Sequence, residues 1–122
     1  LDNLKSIVTI DELRQLIAQA SQVEVVDSIY EYVTRLTQAT RAHPMVALGI
    51  SPRGALAVCR MAKARAFVLG RDYMIPEGVA AVLPAVCAHR LVLSTKARML
   101  EERPENIIRS ILDSVNMPVL RQ

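Results

Sequence analysis

The chain has 122 residues, of which 52% are hydrophobic, 22% charged and 3% aromatic. This composition excludes disordered, fibrous and collagen-like chains, and at this length it fits one domain with a core of its own. The formal charge of +3 permits a nucleic-acid partner without requiring one, because the 15 basic and 12 acidic residues are interspersed.

The first predicted helix covers residues 10–20. Thr9 and Glu12 form a capping box, and the apolar residues that follow recur at helical spacing. Its apolar face consists of Leu13, Leu16, Ile17 and Ala20. A short extended segment should follow at residues 23–25, where apolar and polar residues alternate.

A second helix is predicted to begin at Asp27, which can serve as its N-cap. It should end near His43, because Pro44 disfavours helical backbone in the residue before it. The side chains expected to face inward are Ile29, Val33, Leu36 and Thr40.

The clearest helix start lies at Ser51 and Pro52, a hydroxyl N-cap followed by proline at the first helical position. Gly70 supplies the C-terminal stop. Leu56 and Phe67 lie on a second apolar face, so we expect this third helix to bury two faces at the centre of a bundle. Its first face consists of Ala55, Cys59, Ala62, Ala66 and Leu69.

A fourth helix is predicted from Pro76 to about Val86, because proline is favoured at the first helical position. Pro84 lies inside this pattern and should interrupt or bend the helix. The longest nearly apolar stretch, residues 79–88, is about half the length of a transmembrane helix, so we expect no membrane span. Residues 90–94 are predicted to be extended.

A last helix should begin at Pro104 and end before Pro118. Its inward residues are Ile107, Ile108, Ile111, Leu112 and Val115. The predicted fold class is therefore all-α, a small bundle of about five helices with short extended connectors. Two of these connectors, residues 23–25 and residues 91–93, are expected to pair.

The sequence contains no catalytic signature of its own. Phosphate-binding loops, dinucleotide-binding glycine patterns, paired-histidine zinc helices and nucleophile-elbow serines are missing, so the chain alone should catalyse nothing. Cys87 and His89 are the nearest potential zinc ligands, but a zinc site needs about four, and no metal site is expected. Ser51 has no base partner, and Cys59 and Cys87 are interpreted as reduced core thiols of a cytoplasmic protein.

The remaining candidate site is the run from Gly49 to Gly54, in which Arg53 falls in the first turn of the third helix. Free backbone N–H groups and the positive end of the helix dipole favour an anion there. The planar guanidinium of arginine is also well suited to phosphate oxygens. Arg53 is therefore either a phosphate-sensing side chain or a solvated residue at a helix start. The residues alone leave both interpretations open.

Four short motifs follow one another along the chain: ATRAHP at 39–44, LGISPRG at 48–54, GRDY at 70–73 with PE at 76–77, and AHRL at 88–91. In this order they resemble the C-terminal helical lid of the MoxR family of AAA+ ATPases. The resemblance implies that residues 1–8 are a linker from an ATPase core, residues 9–118 the lid, and residues 119–122 a tail. The missing phosphate-binding loop would then belong to the core.

The resemblance implies a role for Arg53 as the sensor 2 arginine, which reaches from the lid toward the γ-phosphate of ATP. The core would bind most of the ATP and its Mg²⁺. Ser51 and Pro52 would fix the helix that aims Arg53, and Gly49 and Gly54 would let backbone come close to nucleotide or core.

The resemblance also implies partners. These are the chain's own N-terminal AAA+ core, further copies in a ring that is often a hexamer, and client complexes with von Willebrand factor A domain proteins. His89 and Arg90 either lie at a subunit boundary or cover a helix end, and covering a helix end explains them more simply. One departure from the family is Ile75, which stands where a capping residue is usual, so the fourth helix should start about 1 kcal/mol weaker.

Two alternatives come from other classes of protein. Arg53, Arg60 and Lys63 project within about 80° of one another on the third helix, which is a possible footprint for a nucleic-acid-binding module. Such a stripe is more often a solvated face. The second alternative is a protein-interaction bundle with no nucleotide role.

Overall fold

The computed structural model describes residues 10–120 of the chain. This part contains six α-helices, one 3-10 helix and two short strands. In chain order they are α1 (Ile10–Ser21), α2 (Asp27–Ala42), β1 (Val46–Leu48), α3 (Pro52–Val68), α4 (Pro76–Cys87), the 3-10 helix (Ala88–Arg90), β2 (Val92–Leu93), α5 (Thr95–Met99) and α6 (Pro104–Ser114). The all-α class is confirmed, and the five longer helices match the predicted ones.

The first two helices begin and end close to the predicted residues. For α1, the predicted capping residue Thr9 and the predicted inward side chains of Leu13, Leu16 and Ile17 lie outside the described residues. Asp27 is the first residue of α2 rather than its N-cap, because the apolar Val26 occupies the cap position. The carboxylate of Asp27 can still favour this end through its charge. The buried residues of α2 are Ile29, Tyr32, Val33, Leu36 and Thr40.

Helix α3 is central to the bundle and packs against α1, α2 and α4. Gly70, with φ of 78°, ends it as predicted. The predicted inward face is partly wrong, because Leu69 and Leu56 are exposed. Ala62 and Ala66 are buried as predicted. Nearer the start of the helix, Gly54 and Val58 are buried, and the predicted Ala55 and Cys59 beside them are half-buried.

Helix α4 starts behind the apolar Ile75, so the predicted absence of a side-chain cap is confirmed. It is not interrupted at Pro84 and continues to Cys87. Pro84 lies near the end of the helix, where its ring removes only one backbone donor, and its own carbonyl accepts from the Ala88 N–H.

The predicted strand pairing is wrong. Strand β2 pairs antiparallel with β1, which the sequence analysis did not identify. The extended Glu24 lies instead beside the turn after α3, where its N–H donates to the Asp72 carbonyl at 2.9 Å and its carbonyl accepts from the Met74 N–H at 2.8 Å. Because α3 has 17 residues, it spans about 25 Å and separates this turn from β1, which lies just before its N-terminus.

The C-terminal part contains two short unpredicted helices, the 3-10 helix and α5. Arg90, which was predicted to be extended, is the last residue of the 3-10 helix. The short α5 begins after Ser94, whose hydroxyl accepts from the Ala97 N–H at 3.1 Å, and Ala97 is fully buried. Helix α6 has the predicted inward face, with Ile107, Ile108 and Ile111 buried and Leu112 and Val115 half-buried.

Cys87 should make stability depend on pH in the alkaline range. Its side chain is fully buried, and desolvation raises the pKa of the thiol from its ordinary value near 9 to about 11. The unfolded chain therefore loses this proton first, so the free energy of unfolding should fall as pH rises from about 9 to about 11. We expect a shallower fall in Cys87→Ala, measured by urea denaturation across this range. Parallel curves for the two proteins would contradict this prediction.

Candidate functional site

The loop between β1 and α3 is held against the end of α2 by two hydrogen bonds. The Ile50 N–H donates to Thr40 Oγ1 at 3.0 Å, and Arg41 Nε donates to the Ile50 carbonyl at 3.1 Å. Thr40 is fully buried, and its hydroxyl donates to the Thr37 carbonyl at 2.6 Å. Both backbone polar groups of Ile50 are thus satisfied, which fixes the residue before the N-cap of α3.

Gly49 makes this contact possible, because a larger residue would not fit. A Cβ atom at Gly49 would lie 2.7 Å from Arg41 Cγ and 2.8 Å from Arg41 Cα and N. Backbone atoms of a helix have little freedom to move aside. Gly49 therefore packs directly against the last turn of α2.

Ser51 and Pro52 start α3 in the predicted way. Ser51 Oγ accepts from the Gly54 N–H at 3.2 Å, and Pro52 occupies the first helical position. One free N–H of the helix end is thereby satisfied and another is absent. Arg53 follows directly, exposed on the first turn.

Gly54 is buried and lets the Ile50 side chain pack against the start of α3, beside Arg90. A Cβ atom at Gly54 would lie 2.7 Å from Ile50 Cγ2 and 3.5 Å from Arg90 Cδ. Arg90 Nε donates to the Val86 carbonyl at 3.1 Å, so this side chain covers the end of α4.

Three arginines, Arg53, Arg60 and Arg90, line one open groove of about 380 Å³ along α3. Among the described residues, no carboxylate lines it. The remaining lining is apolar and consists of Leu56, Ala57, Met61 and Ala64. Lys63, which the sequence analysis grouped with Arg53 and Arg60, is half-buried and does not line the groove. This surface is chemically suited to an anionic group.

Sequence reasoning found some of these residues and missed others. It assigned Thr40 to the core, but neither its bond to Ile50 nor any role for Arg41 was predicted. The motif at 39–44 was the available signal, because it contains both residues. The place of Arg90 beside Gly54 had no signal in local sequence, since the two residues are far apart along the chain.

Other possible sites lie away from Arg53. A larger cavity of about 960 Å³ is formed by the start of α2, the turn before α4 and the residues after α6.

Across residues 10–120, no three His, Cys, Asp or Glu side chains are grouped so that they could hold a metal ion. Within the same range, none of the helices combines the length and the apolar character that crossing a membrane requires.

Comparisons with known proteins agree on one family. A family model described as "AAA lid domain" matches residues 38–111. The chain is 35% identical over 121 residues to "Uncharacterized protein YeaC" of Bacillus subtilis, covering 99% of this chain and 38% of that protein. It is 37% identical over 123 residues to "Chaperone MoxR1" of Mycobacterium tuberculosis, covering 93% of this chain and 33% of that protein.

A solved structure has a similar fold. It is the crystal structure of "a putative ATPase" from Cytophaga hutchinsonii, with a TM-score of 0.79 and 30% sequence identity, covering 84% of this chain and 34% of that chain. The chain therefore spans between a third and two fifths of the length of these proteins.

Proposed function

Since the chain belongs to the AAA lid domain family, within the MoxR group of AAA+ ATPases, we propose that it closes over ATP bound by an ATPase core and senses the γ-phosphate through Arg53. The observation that carries this proposal is the groove at the start of α3. Arg53 is exposed there, beside two further arginines and with no carboxylate in the described lining. Phosphate oxygens are the natural partners of such a surface.

The role of each residue follows from the local contacts. Thr40, Arg41 and Gly49 hold the loop against α2, and Ser51 and Pro52 start the helix that carries Arg53. The positive charge of Arg53 would stabilise the charge that develops on the transferring phosphoryl group. Loss of the γ-phosphate would remove this contact and release the lid, so that hydrolysis is coupled to domain motion.

The core would supply most of the binding site for ATP and the ligands of Mg²⁺, because the described groove lining offers no oxygen ligands from carboxylates. The chain by itself is then inactive, and its parent is an ATPase. Assembly into a ring, as a hexamer, and action on client complexes with von Willebrand factor A domain proteins are part of the same proposal. The chaperone name of the mycobacterial relative supports this direction.

The test is ATP turnover by the protein in which this chain is joined to its ATPase core. We expect Arg53→Ala to lower turnover about tenfold or more, since losing about 1.4 kcal/mol of transition-state stabilisation has that effect. ATP affinity should be measured in parallel. Arg109→Ala is the matched control, because Arg109 is an exposed arginine on α6 that does not line the groove. Unchanged turnover and affinity in Arg53→Ala would make Arg53 a surface residue and refute the proposal.

A further inference from the structure

We propose that Arg90 is a second phosphate-binding arginine, which contacts the same polyphosphate as Arg53. The inference rests on the proposed function, because it takes the anion in the groove to be the phosphates of a nucleotide. It assigns to Arg90 a contact in addition to its bond at the end of α4.

The stem of Arg90 crosses the first turn of α3. Its Cδ lies 3.5 Å from the position that a Cβ atom would take on Gly54, the residue that follows Arg53. This is an ordinary van der Waals distance, so the stem of Arg90 lies beside this turn. Arg53 and Arg90 both line the groove, although 37 positions separate them in the numbering.

The guanidinium of Arg90 keeps most of its donors for a ligand. Of the five N–H donors that an arginine has, the one on Nε bonds to the Val86 carbonyl. This bond orients the plane of the guanidinium and lowers the entropy that a further contact would cost. The donors on Nη1 and Nη2 have no protein acceptor within the described range, and Arg90 is an exposed residue.

The charges of the groove also favour a polyanion. Like charges collected on one surface repel each other and disfavour the compact state, and a bound polyanion removes this repulsion. The apolar lining, which includes Leu56 and Met61, gives the charges a less polar surrounding than water and strengthens their attraction for an anion. Arg60 lies about 10 Å along the helix axis from Arg53, whereas the stem of Arg90 lies beside Gly54, the next residue after Arg53. Arg90 is therefore better placed than Arg60 to share one phosphate group with Arg53.

The experiment measures binding of ATP and of inorganic triphosphate to the protein that contains the ATPase core, by titration calorimetry. We expect Arg90→Gln to weaken both ligands about tenfold, because a charge-assisted hydrogen bond is lost. Arg98→Gln is the matched control. Arg98 also donates to a backbone carbonyl, from Nη2 to Leu93 at 3.4 Å, but it does not line the groove. Arg98→Gln should leave the affinities for ATP and for triphosphate unchanged.

Two further measurements separate binding from a purely structural role. A structural role would lower Tm in Arg90→Gln but would leave the rise in Tm caused by saturating triphosphate unchanged, whereas we expect that rise to shrink. In the double variant Arg53→Ala with Arg90→Gln, the two losses should combine non-additively, because both side chains contact one group.

The outcomes distinguish this inference from the proposed function. If Arg53→Ala weakens nucleotide binding or turnover while Arg90→Gln equals the wild type, the inference is wrong and the proposed function survives. Weaker ATP binding with unchanged triphosphate binding in Arg90→Gln would also overturn it, because the contact would then involve the nucleoside. If Arg53→Ala has no effect, the proposed function itself fails.

Discussion

Replacing Gly49 by alanine is expected to lower the free energy of unfolding by about 3 kcal/mol, at the upper end of what overpacking usually costs. The added Cβ would lie 2.7–2.8 Å from Arg41, and two of the three atoms it meets there belong to the backbone of α2. Either the loop or the last turn of the helix must move. Such a shift would strain the bonds that join Ile50 to Thr40 and Arg41. Urea denaturation followed by circular dichroism measures the change.

Gly78→Ala is the matched control for this prediction. Gly78 is buried and Gly49 half-buried, but a Cβ at Gly78 would meet only Arg65 Nη1 at 3.7 Å and Ile75 Cγ1 at 4.0 Å, which is ordinary contact. Since alanine is favoured over glycine inside a helix, this variant should gain about 0.5–1 kcal/mol. Equal effects of the two substitutions would show that Gly49 has no special steric requirement.

Some of the fold could be predicted because the signals are local. Ser51 and Pro52 start α3, and Pro76 and Pro104 start α4 and α6, where proline occupies the first helical position in each case. Each of these signals depends on the backbone chemistry of a few neighbouring residues.

The pairing of the extended segments was harder to predict from the sequence, because it depends on the packing of distant elements. Residues 23–25 and β2 have similar short apolar patterns, and either could pair with several partners. The position of α3 between the two ends of the bundle decides the outcome, since it holds Glu24 near Asp72 and far from β2. Strand β1 has three residues, which is too short for a reliable periodic pattern.

The residues of the candidate site also differ in whether a local signal predicts them. Arg53 could be found from sequence because a helix start and an arginine occur together within one turn. Arg41 bonds from α2 to the loop before that turn, and Arg90 lies beside the turn from the 3-10 helix that follows α4. No local spacing links Arg90 to it. In α3, Ala62 and Ala66 were predicted to be buried, but Gly54 and Val58 were not. Two similarly spaced lines of residues lead to Ala62, and only contact with the neighbouring helices distinguishes them.

Replacing Thr40 by valine is expected to cost about 1–3 kcal/mol of stability, because it leaves a buried backbone donor without its acceptor. Valine has nearly the shape of threonine, so the main loss is the hydroxyl that accepts from the Ile50 N–H at 3.0 Å. The same loss should loosen the loop that leads to Arg53. Turnover of the protein with its ATPase core should therefore fall together with the free energy of unfolding, measured by urea denaturation.

Two companion variants test whether this bond is the cause. Thr34→Val removes a hydroxyl that bonds only to the Tyr30 carbonyl of its own helix on an exposed face, so both quantities should stay near the wild type. Thr40→Ser keeps the hydroxyl and loses only a methyl group, so it should restore turnover even where some stability is lost. If Thr40→Val leaves turnover at the wild-type level, the hydroxyl of Thr40 is not what positions Arg53.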